Sequence, residues 1–139
     1  MAHPDLDELL NEAWTFADQM LTQHREFYPF GFIMSQTGEV SMVGAHDGNK
    51  RPDSSQLVEM LTGAFRQQTA SGGIRAAVIC YDVRIVPPGQ RDKTDAICMS
   101  LEHQGGDSAD ACIPYQIGRK GKVTYGETFA YRRERQFFV

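Results

Sequence analysis

Two stretches of the chain repeat apolar residues at the spacing of one helix face. In residues 5 to 25 they recur three or four positions apart, with carboxylates and amides between them. The apolar positions of this first helix are Leu6, Leu9, Leu10, Ala13, Trp14, Ala17, Met20 and Leu21. A second helix is predicted to begin after an N-cap residue, Asp53 or Ser54, and to continue to about Thr69.

From residue 74 onward the period of the apolar residues changes to two, which is typical of β-strands. A hairpin with a Gln36-Thr37-Gly38 turn is also predicted before the second helix. The predicted strands cover residues 30–35, 39–45, 74–86, 97–103 and 111–117, with shorter candidates at 122–125, 128–131 and 136–139. Residues 46–52 show no period and predict a loop.

The order of these elements, α-ββ-α-βββ followed by short strands, predicts an α+β fold in one domain, residues 1–139. The links between the late strands are too short for crossover helices, so the strands should be antiparallel. We expect a sheet of about five or more strands with both helices packed on one face. The order of elements resembles that of profilin-like, roadblock and longin folds, and this resemblance implies a fold rather than a function.

Several short phrases resemble those of a widespread group of small uncharacterised bacterial proteins. They are FYPFG at 27–31, DVRIVPPG at 82–89, KTDAI at 93–97, LEH at 101–103, PY at 114–115 and YGE at 125–127. The likeness covers most of the chain and implies a bacterial protein. It implies no activity.

The net charge of -4 argues against a general nucleic-acid surface, because phosphate binding depends on clustered Lys and Arg. The charge is unevenly distributed: residues 1–60 carry 3 basic and 10 acidic side chains, whereas residues 116–139 carry 6 and 2. The basic end either lies near the acidic first helix or is solvated, or it forms a docking patch for an anionic partner.

The three cysteines predict reduced thiols. Cys80, Cys98 and Cys112 are odd in number and lie within apolar runs, whereas secreted disulfide frameworks are denser and even. Core packing is their favoured role, since a zinc site built from two of them and a carboxylate lacks a fourth ligand. With no apolar run long enough to span a membrane and no signal-peptide features at the N-terminus, the chain is predicted to be cytoplasmic.

Strand registers inferred from the alternation place several polar residues together. In the first late hairpin, a register that pairs Val86 with Ala96 places Asp82 opposite Ser100, Arg84 opposite Cys98 and Cys80 opposite Glu102. In the next hairpin, a register that pairs Leu101 with Ile113 places Glu102 opposite Cys112. The residues with odd numbers in 77–85 are the predicted core face. The opposite face is too apolar for full exposure, so we expect it to pack against the C-terminal strands or a second subunit.

Two functions are consistent with this pattern. The first is a non-catalytic, immunity- or adaptor-like protein-binding domain whose hairpin tip with Arg91, Lys93 and Asp95 contacts the partner, and which we expect to be a homodimer. The alternative is a small-molecule-binding protein or enzyme with a pocket between the first helix, the bend at 27–31 and the late strands. Its candidate ligand-binding residues are Tyr28, Asp82, Arg84, Glu102 and His103. No catalytic residue, metal site, cofactor, nucleic-acid partner or membrane contact is predicted.

Overall fold

The predicted α+β class and antiparallel sheet are confirmed in a computed structural model of the chain, which describes residues 3–45, 48 and 51–139. The elements are α1 (Pro4–His24), β1 (Phe30–Ser35), β2 (Val40–Gly44), α2 (Ser54–Ala70), β3 (Ile74–Ile85), β4 (Thr94–His103), β5 (Ser108–Ile117), β6 (Val123–Tyr125) and β7 (Phe129–Arg132). The predicted loop at 46–52 falls largely outside the described residues.

Local sequence explains where the helices begin and end. Pro4 occupies the first turn of α1, and the His3 side chain caps the helix by accepting a hydrogen bond from the Asp5 N–H. The helix ends at Arg25, which adopts a left-handed conformation with φ 62°. Asp53 caps α2 by accepting from the Ser55 N–H at 2.9 Å. Neither helix is long and apolar enough to cross a membrane, among the residues described.

The strand order is β2-β1-β3-β4-β5, with β6 and β7 both paired to β5. All pairings are antiparallel. The link through α2 returns the chain from the edge strand β2 to a place beside β1, so β3 becomes a central strand. Its segment from Ala76 to Cys80 is therefore buried on both sides.

The two helices lie on opposite faces of the sheet, so the prediction that they share one face is wrong. The buried side of α1, which includes Leu9, packs with Val78 and Met99, and the buried side of α2, which includes Phe65, packs with Ile79. Alternation along β3 suggested one polar face. The continuous apolar run 76–80 is the better signal, since it is typical of a strand covered on both faces.

The register of β3 with β4 also differs from the prediction. Ile85 lies opposite Thr94, three positions away from the register that pairs Val86 with Ala96. Because side chains alternate with period two, an odd shift exchanges the faces. The face of β3 with even residue numbers therefore shares the α1 core and is not available for a second subunit.

The register of β4 with β5 places Leu101 opposite Ala109 rather than Ile113. It also sets Cys98 directly opposite Cys112, and the structure joins them in a disulfide. The prediction of reduced thiols is therefore wrong for these two cysteines. Cys80 remains free and buried on the α1 face.

Residues 133–139, which we call the C-terminal segment, do not form the predicted strand at 136–139. They cross the face of the sheet that carries α2, and Phe137 is buried against Phe65 of α2, with ring centroids 5.4 Å apart. Thr69 of α2 donates a hydrogen bond to the Phe137 carbonyl at 2.6 Å. The segment therefore completes the second core layer.

Candidate functional site

A groove of about 740 Å³ opens where the sheet extends past α2. Thr94, Pro114 and Gln116 line its floor, residues 87–93 of the β3–β4 turn (86–93) form one wall, and the β6–β7 link at 126–128 forms the other. The strand registers place the three floor residues on the face of the sheet that carries α2. The helix α2 covers that face only over β1 and β3, so the part of the face at the groove is not covered by it. We call this opening the sheet-end groove.

The groove owes its second wall to a bulge in the last strand. Tyr125 of β6 lies opposite Tyr115, whereas Phe129 of β7 lies opposite Cys112, so the two registers differ by one residue. One extra residue in an edge strand bends it and interrupts the ladder. Pro114 lies on β5 at this point, and because proline has no backbone N–H it cannot donate a ladder hydrogen bond to the neighbouring strand.

Gly126 holds the bulge close to β5. Its N–H donates to the Pro114 carbonyl at 2.8 Å. A Cβ atom at this position would lie 3.3 Å from the Pro114 Cβ, which is closer than ordinary van der Waals contact. The small residue therefore allows the bulged strand and the proline to meet at the floor of the groove.

Charged side chains lie on two turns at the end of the sheet where the groove opens, 86–93 after β3 and 118–122 after β5, and Asp92 and Lys93 of the first turn line the groove itself. These side chains, together with the one in the second wall, are Arg91, Asp92, Lys93, Arg119, Lys120, Lys122 and Glu127. All seven are exposed, and none forms a salt bridge within the described part of the chain. The groove thus has unengaged charges at its rim.

Of the residues predicted to contact a partner, Arg91 and Lys93 belong to this rim, and Lys93 lines the groove. Asp95 lies opposite Arg84 on the neighbouring strand, and their charged atoms are 3.8 Å apart. Both side chains are about half exposed or more, so this pair contributes little to stability. The predicted contact of Arg84 with Cys98 is wrong.

Asp82 lies on the α1 face, where the Tyr115 hydroxyl donates to both of its carboxylate oxygens at 2.9 and 3.0 Å. Burial raises the pKa of Asp82 to about 6, and the hydrogen bond from Tyr115 limits that rise. Burial and the neighbouring carboxylate raise the pKa of Tyr115 as well. The backbone of Tyr115 borders the groove, but its hydroxyl is used inside the molecule.

Glu102 is an internal anchor. Its side chain has no exposed surface and accepts hydrogen bonds from the backbone N–H groups of Gln136, Phe137 and Phe138 at 2.7 to 3.1 Å. Arg133 donates to the same carboxylate at 2.5 Å. Every acceptor position is therefore directed at the C-terminal segment, and Glu102 has none left for a ligand.

His103 lies on the opposite face of the sheet and docks the start of α1. Its Nε2 is 2.9 Å from an Asp5 oxygen, and the other Asp5 oxygen accepts from Arg75 at 3.1 Å. Burial raises the pKa of Asp5, but the hydrogen bond from His103 and the charge of Arg75 outweigh it and leave that pKa below its usual value. These bonds connect α1 to β3 and β4.

His3, Asp5 and His103 also have the residue types of a metal site, and their ligand atoms lie within 4.8 Å of one another. The hydrogen bonds oppose that use. Each histidine accepts a backbone N–H at Nδ1, from Asp5 and from Gly105. Each neutral ring must then carry its proton on Nε2, where an ion would need a lone pair. Arg75 on the shared carboxylate adds a competing cation.

Tyr28 lines a separate, mostly apolar cavity of about 250 Å³ between α1 and the bend that follows it. The other lining residues are Phe16, Met20, His24, Glu26 and Phe27. None of the other candidate ligand-binding residues reaches this cavity.

The structure therefore does not bring the five candidate ligand-binding residues together. Glu102 and His103 lie on opposite faces, and Asp82 bonds to Tyr115 instead of to either. Sequence reasoning also missed the groove. Its signals were a proline inside a predicted strand, Pro114, and a glycine between two short strands, Gly126, which together are typical of a bulge.

Cys80 offers no nucleophile. It has no exposed surface, and burial together with the nearby Asp82 charge raises the pKa of its thiol well above the usual value. A catalytic cysteine needs the reverse, a stabilised thiolate that solvent can reach. With Cys98 and Cys112 in a disulfide, the described residues contain no reactive thiol.

Comparison of the chain with protein-family models, with curated proteins and with solved structures finds no match. The resemblances to a bacterial protein group and to profilin-like folds therefore stay predictions.

Proposed function

We propose that this chain is a non-catalytic, immunity- or adaptor-like protein-binding domain, and that its sheet-end groove receives an extended segment of the partner. The observation that carries the proposal is the contrast between the groove and the interior. The strongest polar groups, Glu102, Asp5 and Asp82, are used by internal hydrogen bonds. The groove is open, and most of the residues that line it are exposed.

The composition of the groove supports a peptide rather than a small metabolite. Three prolines and Phe129 line it alongside polar backbone and side-chain groups, as in grooves that hold extended peptides, whereas Tyr115 and Tyr125 direct their hydroxyls toward the α1 side. A site for a small molecule encloses most of its ligand and directs a few polar groups inward. In the described residues no two of the candidate ionisable groups converge on a cavity, so the enzyme alternative has less support.

Selection of random displayed peptides against the folded protein tests the proposal. Thr124→Trp fills the groove from an exposed position on β6, and Met60→Trp places the same bulk on the exposed side of α2 as a matched control. We expect selected peptides to lose binding to Thr124→Trp and to keep it with Met60→Trp. Binders that tolerate Thr124→Trp throughout would overturn the groove as the binding site.

A homodimer and a cytoplasmic location belong to the same proposal. The apolar face that suggested a dimer is covered by α1, so a dimer has to use another surface. Sedimentation at several concentrations measures the oligomeric state, and a monomer at every concentration would contradict the proposed homodimer.

The Cys98–Cys112 disulfide weakens the cysteine argument for the cytoplasm, where disulfides are rare. Trapping the thiol state in intact cells decides that point.

A further inference from the structure

We infer that the segment bound in the sheet-end groove is acidic: an extended protein segment whose carboxylates contact the cations on the two turns at the groove. This inference rests on the proposed function and names the chemistry of the partner. It depends on where the unengaged charges of the chain lie after folding.

Folding sorts the basic residues of the chain into engaged and free groups. In the basic end, Arg133 pairs with Glu102 and Asp110, and Arg135 donates to the carbonyls of His103 and Gln104. These two arginines hold the C-terminal segment and are unavailable to a partner. The three cations of the β5–β6 turn, residues 119–122, have no such contacts among the described residues and are exposed.

The β3–β4 turn adds Arg91 and Lys93 at the same end of the sheet. The rim thus contains five cations and only two carboxylates, Asp92 and Glu127. The Arg84–Asp95 pair beside them is neutral as a unit. The rim is therefore positive although the whole chain carries -4, so the ionisable groups outside the rim are together net negative. Such a separation attracts an acidic segment to this end and repels it elsewhere.

The β5–β6 turn is also held in place rather than free. The Gly118 N–H donates to the Lys122 carbonyl at 2.8 Å, and the Gly121 N–H donates to the Gly118 carbonyl at 3.0 Å. Lys120 lies at the tip of this closed turn. Its backbone is thus held at a defined place at the end of β5 and β6, the two strands whose Gln116 and Thr124 line the groove.

A fluorescent oligoglutamate peptide tests the inference, with an oligolysine peptide of equal length as the comparison. We expect the wild-type protein to bind oligoglutamate and not oligolysine. The Kd should rise steeply from about 0.1 M to about 1 M salt, because the Debye length falls from about 10 Å to about 3 Å. Equal binding of the two peptides, or binding that salt does not weaken, would overturn the acidic partner.

Charge reversal locates the contact. Lys93→Glu and Lys120→Glu should each raise the Kd for oligoglutamate about threefold or more, since each replaces an attraction with a repulsion at an exposed site. Arg132→Glu is the matched control, because Arg132 is exposed on β7 at the end of the strand away from the groove. It should leave the Kd within about twofold. An equal loss with Arg132→Glu would show that net charge alone is responsible, against the inference.

The two proposals can fail separately. If displayed peptides depend on the groove, as judged by Thr124→Trp, but are not acidic and oligoglutamate does not bind, the inference falls and the proposed function stands. If oligoglutamate binds through Lys93 and Lys120 but selected peptides ignore Thr124→Trp, the groove as a peptide site falls. Thermal unfolding of each variant verifies that it remains folded.

Discussion

Replacement of Glu102 by alanine should release the C-terminal segment. The substitution removes the acceptor of three backbone N–H groups and of Arg133 in a place without solvent exposure. An unsatisfied buried donor costs about 1–3 kcal/mol, and breaking a buried ion pair costs about 3–5 kcal/mol. Arg133 keeps Asp110 at 3.4 Å, which recovers part of the loss. We therefore expect a loss of about 3–5 kcal/mol from a total stability of about 5–15 kcal/mol.

The loss has an upper limit, because the C-terminal segment can detach instead of remaining in place with unpaired groups. Detachment exposes Phe137 and opens the second core layer beside Phe65. Urea unfolding measures the global free energy, and amide hydrogen exchange at Gln136 to Phe138 reports detachment. Glu134→Ala, which alters an exposed carboxylate of the same segment, is the control.

Glu102→Gln separates charge from shape. The amide keeps the size of the side chain but replaces one acceptor oxygen with a donor that faces other donors. It should destabilise the protein by less than Glu102→Ala and still expose the same amides to exchange. A loss of under about 1 kcal/mol in Glu102→Ala, with full amide protection, would refute the assignment of Glu102 as the anchor.

Three further results are expected. Because the pKa of Asp82 is raised, the stability that this group contributes is present below about pH 4 and is lost as the pH rises through about 6. Asp82→Asn should therefore gain stability relative to wild type across that window, with the exposed Asp92→Asn as the control. A difference in unfolding free energy between Asp82→Asn and wild type that stays constant with pH, measured in urea, would contradict this. Asp5→Asn should lower the unfolding free energy by about 1.5–3 kcal/mol above pH 4 in the same assay, because it weakens the bonds to His103 and Arg75. Asp7→Asn, on the exposed side of the same turn, should leave the unfolding free energy almost unchanged. The loss in Asp5→Asn should shrink as the pH falls below 4, because the pKa of Asp5 is lowered in the folded state. A dithiol reductant should lower the thermal unfolding midpoint, because the Cys98–Cys112 disulfide closes a short loop and such a disulfide stabilises a protein by about 3 kcal/mol. Peptide mapping without reduction should find these two cysteines joined. An unchanged midpoint after reduction would argue against the disulfide.

The elements of the fold could be predicted from the sequence because they depend on local periodicity. The helix over 5–25 and the strand over 74–86 match α1 and β3 to within one residue at each end. The faces could not be predicted in the same way. The sequence predicts this strand only from residue 97, because Thr94 and Asp95 are polar, yet these two are the first residues of β4. The observed register differs from the predicted one by an odd number of positions.

The candidate site was harder to predict because its residues depend on pairings between distant parts of the chain. Glu102 is predicted to bind a ligand because it is a carboxylate on a strand, but its partners are backbone groups of residues 136–138, which carry no sequence signal for that contact. Asp5 lies in the first turn of α1, where the helix dipole alone favours a carboxylate, and its contact with His103 spans 98 positions. By contrast, the exposed tip with Arg91 and Lys93 was predictable, because solvent exposure follows from local polarity.

The separation of the groove from these internal anchors predicts that binding and stability can be altered independently. Lys93 and Lys120 are exposed and have no salt bridge within the described residues, whereas Glu102, Asp5 and Asp82 are all engaged inside the fold. Reversal of either lysine should change the unfolding free energy by no more than about 0.5 kcal/mol, the usual range for surface sites without special contacts. Paired measurements of urea unfolding and oligoglutamate binding on each variant examine this directly. A loss of stability well above that range would mean that the rim cations support the fold, and weaker binding by those variants would then no longer identify the rim as a contact surface.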